Sequence, residues 1–327
     1  MTEALVFSEF RGKNHNFLRI GKNKYVVRDP WKEHGDVICN FKSKSNDVFV
    51  MTQPRSGTTV TTEMAWLLMN NLDYENAGKI RLEERVFELE LGLHEARWSG
   101  QKVAIRNEND PTIFSSFECE NIKNYYDAHA NITGPRIIKT HLAFSLHKDI
   151  LYSGAKTIYI ARDPKDQLVS WWRFLNNGDQ PIRKCKFEKL WELTKKNEVN
   201  LGPYWPHVKE GWNLRNNKNV LFLFYEDIRM NLFETIKKVS HFLDKTYSDE
   251  EIQRLVCHLD IDKFRNNPMV NSVVGLPNIK SCFIGQGKIG GYKEVISDEI
   301  DKEIDEWIYE NLKDCDINFP TLKNKIY

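Results

Sequence analysis

The segment "MTQPRSGTTVTTEMAW", Met51 to Trp66, runs from the end of an apolar stretch into a helical pattern, with a glycine and several hydroxyls at the junction. A turn of this kind presents unpaired backbone N–H groups at a helix N-terminus, where the helix dipole adds positive potential, so its natural guest is a phosphate or sulfate. Thr58 and Thr59 follow Gly57 and the basic residue, Arg55, precedes it, whereas a Walker A loop demands a lysine directly after its second glycine. No acidic Mg²⁺ partner stands in evident register, so phosphotransfer by a P-loop kinase or NTPase is disfavoured. A second motif, "ARDPKDQLVSWWRF", sets Arg162 at a strand end and Ser170 about two turns into the next helix, facing back toward it. That pair suits a second phosphate. A third, "RIIKTHLAF", brings Lys139 and His141 to another strand end on alternate positions, which point to one side. A lysine beside a histidine suggests charge stabilisation next to a general base.

These side chains need a scaffold that aligns strand ends. Four apolar runs read as buried strands: Asp47 to Met51, Arg136 to Thr140, Thr157 to Ala161 and Asn219 to Phe224. Nearly continuous apolar strands suit a parallel sheet with helices on both faces. "TTVTTEMAWLLMN" carries Val60, Met64, Leu67 and Leu68 on one face, and "NLFETIKKVSHFL" carries Leu232, Ile236, Val239 and Leu243, so both read as amphipathic helices. Ser248 and Glu251 have capping-box spacing, and Asp163 with Pro164 opens a further helix. Residues 92–135 are polar and weakly periodic, with a short helix at "CENIKNYYDAHA"; they read as an insertion or substrate-side lid. No repeat or Pro/Gly-rich linker divides the chain, so a single α/β domain over residues 1–327, with a core at 45–300, is expected. In such a sheet ligands lie at the carboxyl ends of the strands, where the three motifs sit.

Composition narrows the partners. Lys and Arg (47) nearly balance Asp and Glu (46), giving a formal +1, so no global field favours nucleic acid or an anionic membrane. No apolar run approaches the ~20 residues needed to span a bilayer, and no secretory signal opens the chain, which reads as a soluble cytoplasmic protein. Cys39, Cys119, Cys185, Cys257, Cys282 and Cys315 are scattered without metal-ligand spacing and read as reduced thiols, with no metal site. The sequon at Asn131 reads as coincidental in that context. Phe, Tyr and Trp make up 12% of the chain, which suits a hydrophobic small-molecule ligand. "WWRF" and "YWPHVKEGW" read first as core packing, with some rings available to wall a pocket.

Taken in order, "QPRSGTT", "PRIIKTH", "ARDPKDQLVSWW", "YWPHVKEGW", "VLFLFYEDI" and "NNPMVN" resemble the cytosolic sulfotransferases, including insect members such as retinol dehydratase. The resemblance runs from about Asp29 to about Glu294. It implies a single α/β domain with a central parallel sheet and a P-loop-like phosphosulfate-binding loop. The activity implied is transfer of a sulfuryl group from 3'-phosphoadenosine 5'-phosphosulfate (PAPS) to a small alcohol, phenol or amine, without a metal. It places Arg55, Ser56, Gly57, Thr58 and Thr59 around the 5'-phosphosulfate and Arg162 and Ser170 at the 3'-phosphate. Tyr225 falls at the adenine, Lys139 at the transferred group and His141 in the role of general base, with Arg55 and Lys139 implied as the catalytic cations that stabilise the leaving phosphate oxygen.

The chain departs from the family pattern at several points. Arg55 stands where a lysine is usual, and its fixed fork can still hold phosphate or sulfate oxygens. Where an Arg-Lys-Gly loop is usual near the C-terminus, the residues are Gly285, Gln286 and Gly287, leaving Lys288 as the cation expected to reach the cofactor. Val60 replaces a tryptophan, and Leu259, Asp260 and Ile261 occupy a stretch where Thr-Ser-Phe is common, so less stacking on adenine is expected. The usual dimer motif is unmatched: after Lys293 come Ser297, Asp298 and Lys302. Beside the active enzyme stands a second reading, a degenerate sulfotransferase-fold protein that binds a small molecule with weak or no use of PAPS.

Overall fold

The computed structural model describes residues 3–5, 17–93, 101–107, 109–110, 113–147, 149–176, 185–271 and 284–322. Strands β1 (Val48–Thr52), β2 (Phe87–Glu88), β3 (Ile137–Thr140), β4 (Lys156–Ala161) and β5 (Val220–Phe224) form a parallel sheet of five strands in the order β5-β4-β1-β3-β2. Alternate residues feed two cores. Phe49 and Met51 pack with Ile138 and Tyr159 on one face, while Val48 and Val50 pack with Ile137, Ile158 and Ile160 on the other. Burial of both faces is why these strands are apolar without alternation. The register pairs Met51 with Thr140, Thr52 with Ile160 and Ala161 with Phe224, so the strands end together. The residues that follow, Gln53, His141, Arg162 and Tyr225, therefore share one rim.

Helices α1 (Thr58–Met69), α2 (Ile122–Ala130), α3 (Pro164–Asn176), α4 (Tyr204–Asn213), α5 (Tyr225–Met230), α6 (Leu232–Phe242), α7 (Asp249–His258) and α8 (Asp298–Leu312) surround the sheet. The capping box at Ser248 and Glu251 is formed in both directions. At the start of α3, Asp163 Oδ1 accepts from the N–H groups of Lys165 (2.8 Å) and Asp166 (3.4 Å). α1 is not one-sided as its pattern suggested: Thr61 to Leu68 are all buried. Its polar side holds Glu63, which pairs with Arg85 at 2.8 Å, both side chains fully buried, and with His258 at 2.9 Å. Arg85 in turn lies over the Trp66 ring at 4.2 Å. These partners lie 22 and 195 residues away in sequence, beyond the reach of local periodicity.

Two antiparallel pieces, Phe17–Ile20 with Tyr25–Arg28 and Lys102–Arg106 with Phe114–Glu118, were not marked by the sequence pattern, nor was β2. Within 92–135, the described residues form the second hairpin and α2. None of them lines the cavity described below, and the hairpin packs beside the short helix Leu82–Arg85. Residues 94–100, 108 and 111–112, and Cys282, lie outside the described residues. Cys39, Cys119, Cys185, Cys257 and Cys315 carry free thiols.

Glu226, fully buried in the first turn of α5, supports the rim from below: its Oε1 accepts the Asp163 N–H at 2.9 Å. Burial raises its carboxyl from 4.5 to about 7, against the lowering effect of that N–H. The folded carboxyl thus keeps a proton that the unfolded one releases. Its contribution to stability is full below pH 4.5 and is lost as pH rises to about 7, with a slope of at most about 1.4 kcal/mol per pH unit. Glu226→Gln retains the acceptor for Asp163 and cannot ionise. Its unfolding free energy, measured in urea, should gain on the wild type between pH 5 and pH 8; parallel pH curves for the two proteins would exclude a buried proton at Glu226.

Candidate active site

The loop after β1 is held from two sides: Gln53 Nε2 donates to the Leu201 carbonyl at 3.0 Å and Gln167 Nε2 to the Pro54 carbonyl at 2.7 Å. The Ser56 N–H closes a turn on the Gln53 carbonyl at 3.2 Å. Gly57 has φ +101°, and a Cβ there would lie 2.6 Å from Tyr225 Cδ2, so both conformation and space require glycine. The chain then enters α1, whose first N–H groups have no intrahelical acceptor and face the rim. Thr58 and Thr59 line the cavity at this point. Ser56 does not: its hydroxyl is buried beneath the loop without a hydrogen-bond partner.

Arg162 is 8% exposed. Its Nη1 donates to the Arg55 carbonyl at 2.9 Å and its Nη2 to the Lys288 carbonyl at 3.4 Å, while the guanidinium lies 4.4 Å from the Tyr225 ring centroid. Its Nε is buried without an acceptor. The Tyr204 hydroxyl donates to the Arg162 carbonyl, fixing the backbone as well. Arg55 Nε donates to Ser170 Oγ at 3.3 Å, and the guanidinium lies 4.9 Å from the Phe174 centroid. Burial, then the neighbouring Arg162, lowers the Arg55 guanidinium to about 10, still protonated at neutral pH. The two arginines line the same cavity.

The stretch Gly285–Lys288 closes the pocket. Arg229 Nε donates to the Gly287 carbonyl at 3.2 Å, and Asp166 accepts from the N–H groups of Gly290 (2.7 Å) and Tyr292 (3.1 Å). Lys288 sends its ammonium outward to Glu294 at 2.7 Å, so its carbonyl is what meets Arg162. Sequence reasoning did not find Arg229 or Asp166. Arg229 carried a signal, one helical turn after Tyr225 and thus on the same face of α5.

At the other side of the rim His141 Nδ1 lies 2.9 Å from the Thr52 carbonyl and 3.1 Å from Thr52 Oγ1. A carbonyl only accepts, so Nδ1 carries the proton and Nε2 the lone pair. The His141 backbone is gripped too: Glu90 Oε1 accepts its N–H at 2.7 Å, and His207 Nε2 donates to its carbonyl at 3.2 Å. His207 is neutral, lowered to about 3 by burial and then by His141, and its Nδ1 accepts from the Tyr159 hydroxyl at 2.6 Å. Lys139 Nζ lies 3.0 Å from Glu88 Oε2, across the β3–β2 ladder that pairs these residues. Burial and then Glu88 raise the Glu90 carboxyl to about 7.

One cavity of about 500 Å³ joins both corners. Its lining includes Arg55, Arg162, Arg229 and Tyr225, then His141 and Lys139, and the apolar Phe17, Trp171, Phe174, Leu190, Leu193 and Leu201. "WWRF" thus contributes Trp171 and Phe174 to the wall, while Tyr204, Trp205 and His207 of "YWPHVKEGW" are buried in the core. Among the described residues no group of His, Cys, Asp or Glu is arranged to hold a metal ion.

A glycine-containing loop and helix N-terminus at the strand ends of a parallel sheet, in one cavity with arginines, a lysine, a histidine and apolar side chains, suit a group-transfer enzyme with an anionic donor. The sulfotransferase domain model matches residues 45–316. The chain belongs to the sulfotransferase family and is a PAPS-dependent sulfotransferase. It is 28% identical to luciferin sulfotransferase of Photinus pyralis, over 91% of this chain and 80% of that one. With Sulfotransferase 1A1 of Rattus norvegicus the identity is 29%, over 86% and 89%. Among solved structures, retinol dehydratase with androsterone and the inactive cofactor PAP superposes with a TM-score of 0.77 and 31% identity, covering 94% of this chain and 92% of that one. The complex of retinol dehydratase with retinol and PAP gives a TM-score of 0.77 at 29% identity, with 98% of each chain covered.

Proposed function

We propose that this chain transfers the sulfuryl group of PAPS to the hydroxyl or amine of a small hydrophobic acceptor, with His141 as general base. The observation that supports this reading most is the tautomer of His141: Nδ1–H is committed to the Thr52 carbonyl at 2.9 Å, which leaves a basic Nε2 for the cavity wall between the cationic and apolar parts. PAPS, when bound, supplies the sulfuryl group, whose bond to the bridging phosphate oxygen breaks as the acceptor oxygen or nitrogen bonds to sulfur. His141 Nε2 takes the acceptor proton. Lys139 and the N-terminus of α1 hold the negative charge that spreads over the reacting groups. Arg162, with its unsatisfied buried Nε, and Ser170 hold the 3'-phosphate, and Tyr225 carries the adenine side. Trp171 and the leucines of the chamber bind the acceptor and exclude water. No described helix is long and apolar enough to cross a membrane, and the resemblance to the cytosolic sulfotransferases supports the cytoplasm as its compartment.

Calorimetric titration with 3'-phosphoadenosine 5'-phosphate (PAP) tests the donor site without requiring the acceptor. A Kd of about 1 µM, near 8 kcal/mol, is expected. PAPS-dependent sulfonation of retinol and androsterone, the ligands named with the similar structures, is the next measurement. Absence of heat at millimolar PAP, with an unshifted Tm, would exclude PAPS use and leave the small-molecule binding reading.

A further inference from the structure

The two positions that could bring side-chain cations over the cavity from the C-terminal loop, Gly285 and Gln286, are neutral, and the Lys288 ammonium is committed to Glu294 on the surface at 2.7 Å. That loop offers carbonyls instead, and two arginines from other elements take them. Arg229 Nε donates to the Gly287 carbonyl at 3.2 Å, and Arg162 Nη2 to the next one, that of Lys288, at 3.4 Å. Two guanidiniums are thus anchored within one residue of each other on a single loop, and both arginines line the cavity. Glycine at 287 makes the approach possible: its φ is +67°, and a Cβ there would lie 3.2 Å from both Arg229 Nε and Ile261 Cδ1. Arg229 comes from α5, four residues after Tyr225, whose ring lies 4.4 Å from the Arg162 guanidinium. It is half-buried, and its Nη groups have no acceptor among the described residues, while Arg162 keeps a buried Nε in the same condition. We propose that Arg229 is the second cationic ligand of the cofactor's 3'-phosphate, partnering Arg162 and supplying the charge that the C-terminal loop lacks. The inference rests on the PAPS reading above, with Arg162 at that phosphate. A guanidinium anchored through Nε presents its Nη groups as a fork for phosphate oxygens, and a dianion calls for more than one positive charge.

PAP carries both phosphates and adenosine 5'-monophosphate only the 5' one, so the monophosphate's dissociation constant divided by that of PAP isolates the 3'-phosphate. Arg229→Met should lower that ratio by about 10- to 100-fold, the size of one charge-assisted interaction, through weaker PAP binding with 5'-monophosphate binding unchanged. Arg229→Lys keeps the charge without the fork and should lower it by roughly several-fold. Arg229→Gln has an amide that can still donate to a backbone carbonyl but carries no charge, and it should lose as much as the methionine variant. Equal weakening of both ligands would overturn the assignment by placing Arg229 at the adenine or the 5' side. An unchanged ratio in Arg229→Met would overturn it outright, and a wild-type ratio in Arg229→Gln would reduce Arg229 to a brace of the loop. Wild-type protein that binds neither ligand would instead overturn the PAPS reading, and this assignment with it. Should Arg229→Met not fold, judged by circular dichroism, the lysine and glutamine variants decide by the same ratio.

Discussion

His141→Ala should lower kcat by about 10²-fold or more, the usual size of a general acid/base contribution, while PAP binds as tightly as before. The separation follows from the geometry. The Glu90 and His207 contacts that hold residue 141 engage its N–H and carbonyl, which alanine retains, so β3 and its loop keep their course. The ring itself touches Thr52, whose hydroxyl has a second partner in Thr58 Oγ1 at 2.7 Å and is not stranded when the imidazole goes. Turnover and PAP affinity, measured on the same preparation, decide the matter: wild-type turnover in the variant would remove His141 from proton transfer, and a parallel loss of PAP affinity would make it a binding residue. Imidazole added to the alanine variant should restore part of the rate, which a purely structural defect would not allow.

How much of this could be read from the chain varies with the distance over which each feature is determined. The four inner strands were legible because burial on both faces imposes apolar runs, and their ends could be located because the next residues are polar and chemically specific: Gln53, His141, Arg162 and Tyr225. β2 was not, since its Glu88 and the following Glu90 are buried carboxyls of the site, and a carboxylate in an edge strand reads as surface. Caps at Ser248 and Asp163 are local hydrogen bonds and appeared in sequence as such. The polar face of α1 depends on Arg85 and His258 and could not be foreseen from its own residues. The site shows the same division. Which residues gather at the rim follows from strand ends, but which way a long side chain turns there depends on neighbours from other loops. Lys288 goes outward because Glu294 offers a carboxylate, and Arg55 reaches Ser170, 115 residues on in sequence.

Replacing Lys139 with methionine should cost activity and stability together, and the two losses can be separated. The ammonium stands at the end of β3 beside His141 and lines the cavity, where removal of one preorganised cation or donor reduces kcat by about 10²- to 10³-fold. It is also 3.0 Å from the Glu88 carboxylate, on a residue only 5% exposed, with Glu90 one further position along the chain. Without Lys139, the Glu88 carboxylate loses the ammonium it meets in the structure, beside the buried Glu90, and breaking a buried pair costs up to about 3 to 5 kcal/mol. The cost falls on the charged form of Glu88, so Lys139→Met should be least stable at high pH and recover part of its Tm as pH falls and the carboxyl takes a proton. Adding Glu88→Gln removes the Glu88 charge. The double variant should regain part of the lost Tm at pH 8 yet, on the proposed role of Lys139, remain about 10²-fold or more below wild type in kcat, because its cavity still lacks that cation. If activity returned with stability in the double variant, Lys139 would matter only as the counter-ion of Glu88. If the single variant kept wild-type kcat, charge stabilisation at this corner would have to come from the α1 N-terminus and Arg55 alone.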